Sequence, residues 1–146
     1  MYQLARFVAI GVVLSSAAFA QDTPSPEGAS VYFVGLQDGA KVTSPVTVVF
    51  GLDGMGIAPS GVEFDNTGHH HLLLNRPAMG EGEDGADEMK YSMPATDNLL
   101  HFGKGQTQTT LDLPAGQHTL QLVLGDYAHV PHDPPVMSEV ITITVE

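Results

Sequence analysis

Apolar and polar residues alternate along most of this chain with a period of two, the pattern of strands that bury one face. Residues 30–36 (SVYFVGL) set Val31 and Phe33 against Tyr32 and Val34. Residues 45–52 (PVTVVFGL) place Val46, Val48, Phe50 and Leu52 on one side, with Thr47, Val49 and Gly51 opposite. Residues 68–75 (GHHHLLLN) give His69, His71 and Leu73 one face, and His70, Leu72 and Leu74 the other. Residues 98–102, 107–113, 117–124 and 136–145 continue the alternation, with His118, Leu120, Leu122 and Leu124 aligned in the sixth segment. Asp38-Gly39, Gly103-Lys104-Gly105 and Pro114-Ala115-Gly116 supply turns between them. Helical periodicity is almost absent.

About seven short strands with frequent turns predict an all-β fold, an antiparallel β-sandwich of the immunoglobulin-like kind. The segment LDLPAGQHTLQL fits a strand–corner–strand passage of such a domain, with His118 in a structural hydrogen bond at the corner. Residues 30–146 form one domain, and residues 21–29 (QDTPSPEGA) a polar, mobile linker before it. Two connections are long, 16 residues at 53–68 and 22 residues at 76–97. The centre of the second, GEGEDGADE at 80–88, reads as a solvated excursion and lacks the order of a calcium loop. Met79, Met89 and Met93 flank it; they are soft copper(I) donors or simple hydrophobic pegs.

Strand order turns the histidines into candidate chemistry. In an immunoglobulin-like sandwich the loops at one end meet. That brings His69, His70 and His71, at the start of the third strand, towards His101 at the end of the fourth. His129 and His132, in the proline-stiffened loop 125–135, join them. These six imidazoles are expected at one pole, with Asp65, Asp126 and Asp133 nearby and Met55 as a further soft donor; His118 maps to the other pole. Neutral imidazole suits copper and zinc. The competing reading is a metal-free cluster in which the rings bond one another, the aspartates and backbone carbonyls.

The beginning of the chain changes the setting. Residues 1–20 carry one positive charge, an apolar run and Ala18-Phe19-Ala20, the pattern of a cleaved secretory signal, which directs the protein to the periplasm or the exterior. Cleavage leaves 126 of 146 residues, enough for one core, and no stretch long enough to insert in a membrane afterwards. Loss of Arg6 takes the net charge from −12 to −13, which excludes nucleic acid and anionic lipid as partners. With no cysteine, disulfides, thiolate metal sites and thiol nucleophiles are excluded too.

GHHHLLLN, LLHFGKGQTQTTLDLPAGQHTLQLVLGD and HVPHDPPV, with GMGIAPSG in the first long loop, resemble the bacterial family called domain of unknown function 4399. The resemblance covers residues 31–145 and implies an exported all-β domain with no established reaction; the acidic segment 80–88 departs from it. All seven histidines fall in its motif positions. The leading reading is an exported module that binds copper or zinc in the cell envelope through His69, His70, His71, His101, His129 and His132. The alternative is a non-catalytic adhesion or assembly module that contacts a protein or glycan, its histidines a structural hydrogen-bond cluster. Neither a nucleophile elbow nor a phosphate loop is present, so enzyme chemistry has only the histidines to rest on.

Overall fold

The computed structural model describes residues 23–146, so the signal sequence expected at 1–20 lies outside the described residues. Two sheets face one another. The first holds β1 (Ser30–Val34), β3 (Val46–Asp53) and β7 (Gln108–Leu111) in the order β1-β3-β7, all antiparallel. The second runs β2 (Lys41–Val42), β9 (Ile141–Val145), β8 (Gly116–Gly125), β5 (Thr67–Leu74). Two short strands, β4 (Gly56–Ile57) and β6 (Leu99–His101), share the far edge of β5. The expected all-β, predominantly antiparallel sandwich is therefore present.

Alternation decides what each strand contributes to the interior. Val46, Val48 and Phe50 of β3 meet Leu72 of β5, Leu120, Leu122 and Leu124 of β8, and Ile141, Ile143 and Val145 of β9. Val- and Thr-rich β3 and Ile- and Thr-rich β9 suit a pleated, half-buried surface. Each fully buried Leu or Ile here contributes about 1.5–3 kcal/mol by leaving water, and Leu72, Leu120, Leu122 and Ile143 are all 0% exposed.

A second, smaller core lies on the outer face of the second sheet. There Leu73 of β5, Val123 of β8 and Leu99 of β6 pack beneath Met79 and Met93 of the long connection, with Met89 alongside. That connection folds down onto the sheet. Gly85–Lys90 forms a short 3-10 helix, Arg76 pairs with Glu88, the Gly80 amide donates to Glu88 Oε2 at 3.0 Å, and the Met79 amide donates to Gln121 Oε1 at 2.8 Å. Residues 80–88 remain solvent-facing as expected, with Glu81, Glu83, Asp84, Ala86 and Asp87 exposed and no residue buried. Glu88 ties the segment to Arg76, while Met79 and Met93, each 3% exposed and on either side of it, are a roof over the sheet. With covers on both faces, β5 has no exposed residue.

The segment before β1 is likewise anchored where a mobile linker was expected. Thr23 Oγ1 donates to Asp126 Oδ2 at 2.7 Å, the Asp133 amide donates to the Thr23 carbonyl at 3.0 Å, and Ser25 Oγ donates to the Pro134 carbonyl at 2.7 Å. It lines the same loop that carries His129 and His132.

Candidate metal centre

The site grows from two positions on β5. His69 and His71 point to the outer face, towards the second core, and both are 0% exposed. In the ordinary immunoglobulin constant arrangement the fourth strand joins the sheet of the first, second and fifth. Here β6 pairs with β5 instead, which sets His101 directly across from His71. The fourth ring arrives by a turn. After β8, the Asp126 amide donates to the Val130 carbonyl at 2.8 Å and the His129 amide to the Asp126 carbonyl at 3.0 Å, folding the chain back over the sheet. Asp126 Oδ1 accepts from the amides of Ala128 at 2.8 Å and Val130 at 2.9 Å, fixing the turn. His129 sits at φ 69°, the left-handed region that non-glycine residues enter only where the surroundings require it.

Four imidazoles thereby share one small space. Ring centroids of His69 lie 4.8 Å from His71 and 5.0 Å from both His101 and His129. His101 lies 5.0 Å from His71 and 4.5 Å from His129. One nitrogen each from His69, His71 and His101 falls within 4.8 Å of the others. Tetrahedral donors at a metal–nitrogen distance of about 2.0–2.1 Å stand about 3.4 Å apart. Closing each ring inward by less than about 1 Å therefore reaches coordination distance from the present spacing.

Two glycines make the approach possible. A Cβ on Gly125, the β8 residue paired with His69, would stand 2.6 Å from His71 Cε1 and 2.8 Å from Met93 Cε. At Gly103 a Cβ would collide with the His101 ring. In the sequence Gly103 reads only as a turn residue and Gly125 only as the start of a loop; the signal for their second role is a glycine closing an apolar strand, which marks a close approach.

Protonation is set by the surroundings. Burial, then the neighbouring His101 and His129, push His69 down to about 4, against a smaller opposing pull from Asp126. Burial first, then His69, His101 and His129, push His71 down to about 2, against a smaller opposing pull from the His69 backbone, which lies near the ring without meeting hydrogen-bond geometry. His101 is lowered by burial and by His129. At neutral pH His69, His71 and His101 are thus neutral, each with a lone pair to offer. Yet both ring nitrogens of His69, both of His71, and Nε2 of His101 are buried with no hydrogen-bond partner among the described residues. Leaving a buried donor or acceptor unpaired costs about 1–3 kcal/mol each, and buried polar groups are almost always satisfied.

The remaining histidines do other work, and the expected convergence of six is corrected to four. His70 faces the opposite way on β5, into the sandwich, with its ring 5.0 Å from Phe50. Its nitrogens also have no hydrogen-bond partner among the described residues, and burial pushes it down to about 4. His132 is 2% exposed and places Nδ1 3.4 Å from the Leu124 carbonyl oxygen and Nε2 3.2 Å from that of Thr67, joining the β8 end to the β5 start. His118 bonds Asn75 Nδ2 and the Pro114 carbonyl, each at 2.9 Å. Met55 packs against the sandwich core.

Comparison with known proteins bears on the same residues. A family model described as "Domain of unknown function (DUF4399)" matches residues 48–146. The chain belongs to that family. The DUF4399 match contains all four clustered imidazoles, the glycines beneath them and the whole second sheet except β2. No curated protein and no solved structure matched the chain.

Proposed function

We propose that this DUF4399 protein is an exported transition-metal-binding module of the cell envelope, holding copper or zinc on His69, His71 and His101, with His129 closing the site. One observation carries the reading. Five buried nitrogens of one histidine cluster have no partner among the described residues, which favours a bound ion over a hydrogen-bonded cap. A bound ion satisfies one nitrogen on each ring at a stroke. The leader-like pattern of residues 1–20 supports that setting, the periplasm or the exterior of the cell.

Metal analysis of the untagged chain, incubated with zinc or copper and desalted, tests it. About one equivalent is expected, falling to background in a His69→Ala/His71→Ala variant; less than about 0.2 equivalents in the parent ends the proposal. The assembly reading has its own observation. Phe64 is 73% exposed and, with Val62 and Tyr127, borders a cleft of about 450 Å³. Exposed aromatic surface of this kind marks contact sites. Crosslinking in the native envelope that Phe64→Ser abolishes, with metal content unchanged, would support it.

A further inference from the structure

Resting on that reading of the histidine site, we infer that the ion it is built to hold is copper(I), with the Met93 thioether as an additional donor. Met93 is 3% exposed and reaches the cluster from the roof. Its methyl group and the edge of the His71 ring crowd the same point above Gly125, 2.8 Å and 2.6 Å from where a Cβ would stand. Its amide donates to the His129 carbonyl at 2.9 Å, so the segment bearing the sulfur and the turn bearing the fourth imidazole are coupled. Around it lie Met79, Leu73, Leu99 and Val123, a dry apolar wall on one side of the donors.

Donor chemistry separates the metals. Zinc takes thiolate, imidazole and carboxylate, and a neutral thioether adds little to its binding. Thioether sulfur is soft and selects copper(I), which imidazole also binds well.

Charge points the same way. Imidazole and thioether are neutral donors, so the ion brings its full charge into a buried site. The cost of desolvating an ion grows with the square of its charge, so a divalent ion costs about four times what a monovalent one does. Among the described residues, the carboxylate felt at the cluster is that of Asp126, which folds the turn bearing His129 and acts on His69. Its oxygens are engaged by Thr23, Ala128 and Val130, which leaves it an outer counter-charge rather than a ligand. A single negative charge balances a single positive one.

The experiment is an anaerobic competition titration of the untagged chain with copper(I) against a chromogenic copper(I) chelator, and in parallel with zinc(II) against a zinc chelator. Met93→Leu keeps the apolar volume of the roof. It is expected to weaken copper(I) binding by about tenfold or more and to leave zinc(II) within about threefold. A spectroscopic readout accompanies it: copper-edge X-ray absorption of selenomethionine-labelled, copper(I)-loaded protein should show a selenium neighbour that Met93→Leu lacks. Equal copper(I) affinity in parent and Met93→Leu, or no selenium neighbour, overturns the inference while leaving the histidine site intact. Failure of both ions to bind the parent overturns the histidine reading and this inference together.

Discussion

Gly125→Ala tests whether the cluster is built by close backbone approach. The added methyl would stand 2.6 Å from His71 Cε1, 3.0 Å from His71 Nδ1 and 2.8 Å from Met93 Cε, where ordinary contacts begin at 3.4 Å. His71, which is fully buried, must then be displaced by about 0.8 Å from its present position. Metal sites tolerate errors of about 0.2 Å in donor distance, so a shift of this size takes one ligand out of reach. Overpacking of this kind costs about 1–3 kcal/mol of stability. We expect Gly125→Ala to remain folded by circular dichroism, with a melting temperature lower by several degrees. Zinc or copper affinity, read by chelator competition, should fall by about tenfold or more. An unchanged affinity in a folded variant would show that His71 is no ligand, and with it the geometric argument fails.

Three further outcomes follow from the same geometry. His70→Leu removes two unpaired nitrogens from the sandwich core, so the urea midpoint should hold or rise while metal content stays at the parent level; a loss of metal would return His70 to the site. The pH dependence has a definite sign: burial holds His70 at about 4 and His71 at about 2, below the ordinary 6.5, so on acidification the unfolded chain takes up protons first. Stability of the metal-free protein is therefore fully present above about pH 6.5 and declines below it, by up to about 1.4 kcal/mol per pH unit for each ring; a urea midpoint equal at about pH 7 and pH 5 would contradict the burial of neutral rings. Glu88→Ala cuts the tie to Arg76 and to the Gly80 amide, and should speed amide exchange across residues 79–93 without altering exchange in β8, whereas uniform protection would mean the roof is held by its methionines alone.

Much of the arrangement was written in two-residue periodicity. The separation of His69 and His71 from His70 follows from alternation alone, and so do the inward faces of β3, β8 and β9. The meeting of His101 and His129 with β5 followed from chain order, although the detail differed, because β6 chose the edge of β5 over the other sheet. Sharing the 125–135 loop with His129 groups His132 with the cluster in the sequence, but the turn after Asp126 sends the two rings to different sides. The roof was the least visible part. Met79 and Met93 stand singly at the two ends of a polar, glycine-containing segment with no period to reveal them, and only the outer face of β5 and β8, already apolar at Leu73 and Val123, shows what they cover. Anchoring of Thr23 by Asp126 was equally hidden, since it joins residues 103 positions apart.

The two halves of the centre differ in how firmly they are mounted. β5 is laddered to β8 on one side and to β4 and β6 on the other, so its two rings move only if the sheet does. His101 ends a strand of three residues and His129 rides a turn, and both are partly open to water. An ion held there would consequently leave in stages, released first by the outer pair while the inner pair retains its grip. Under the proposed reading, exchange of the ion would pass alongside β6 and the turn at His129, where the centre is partly open to water.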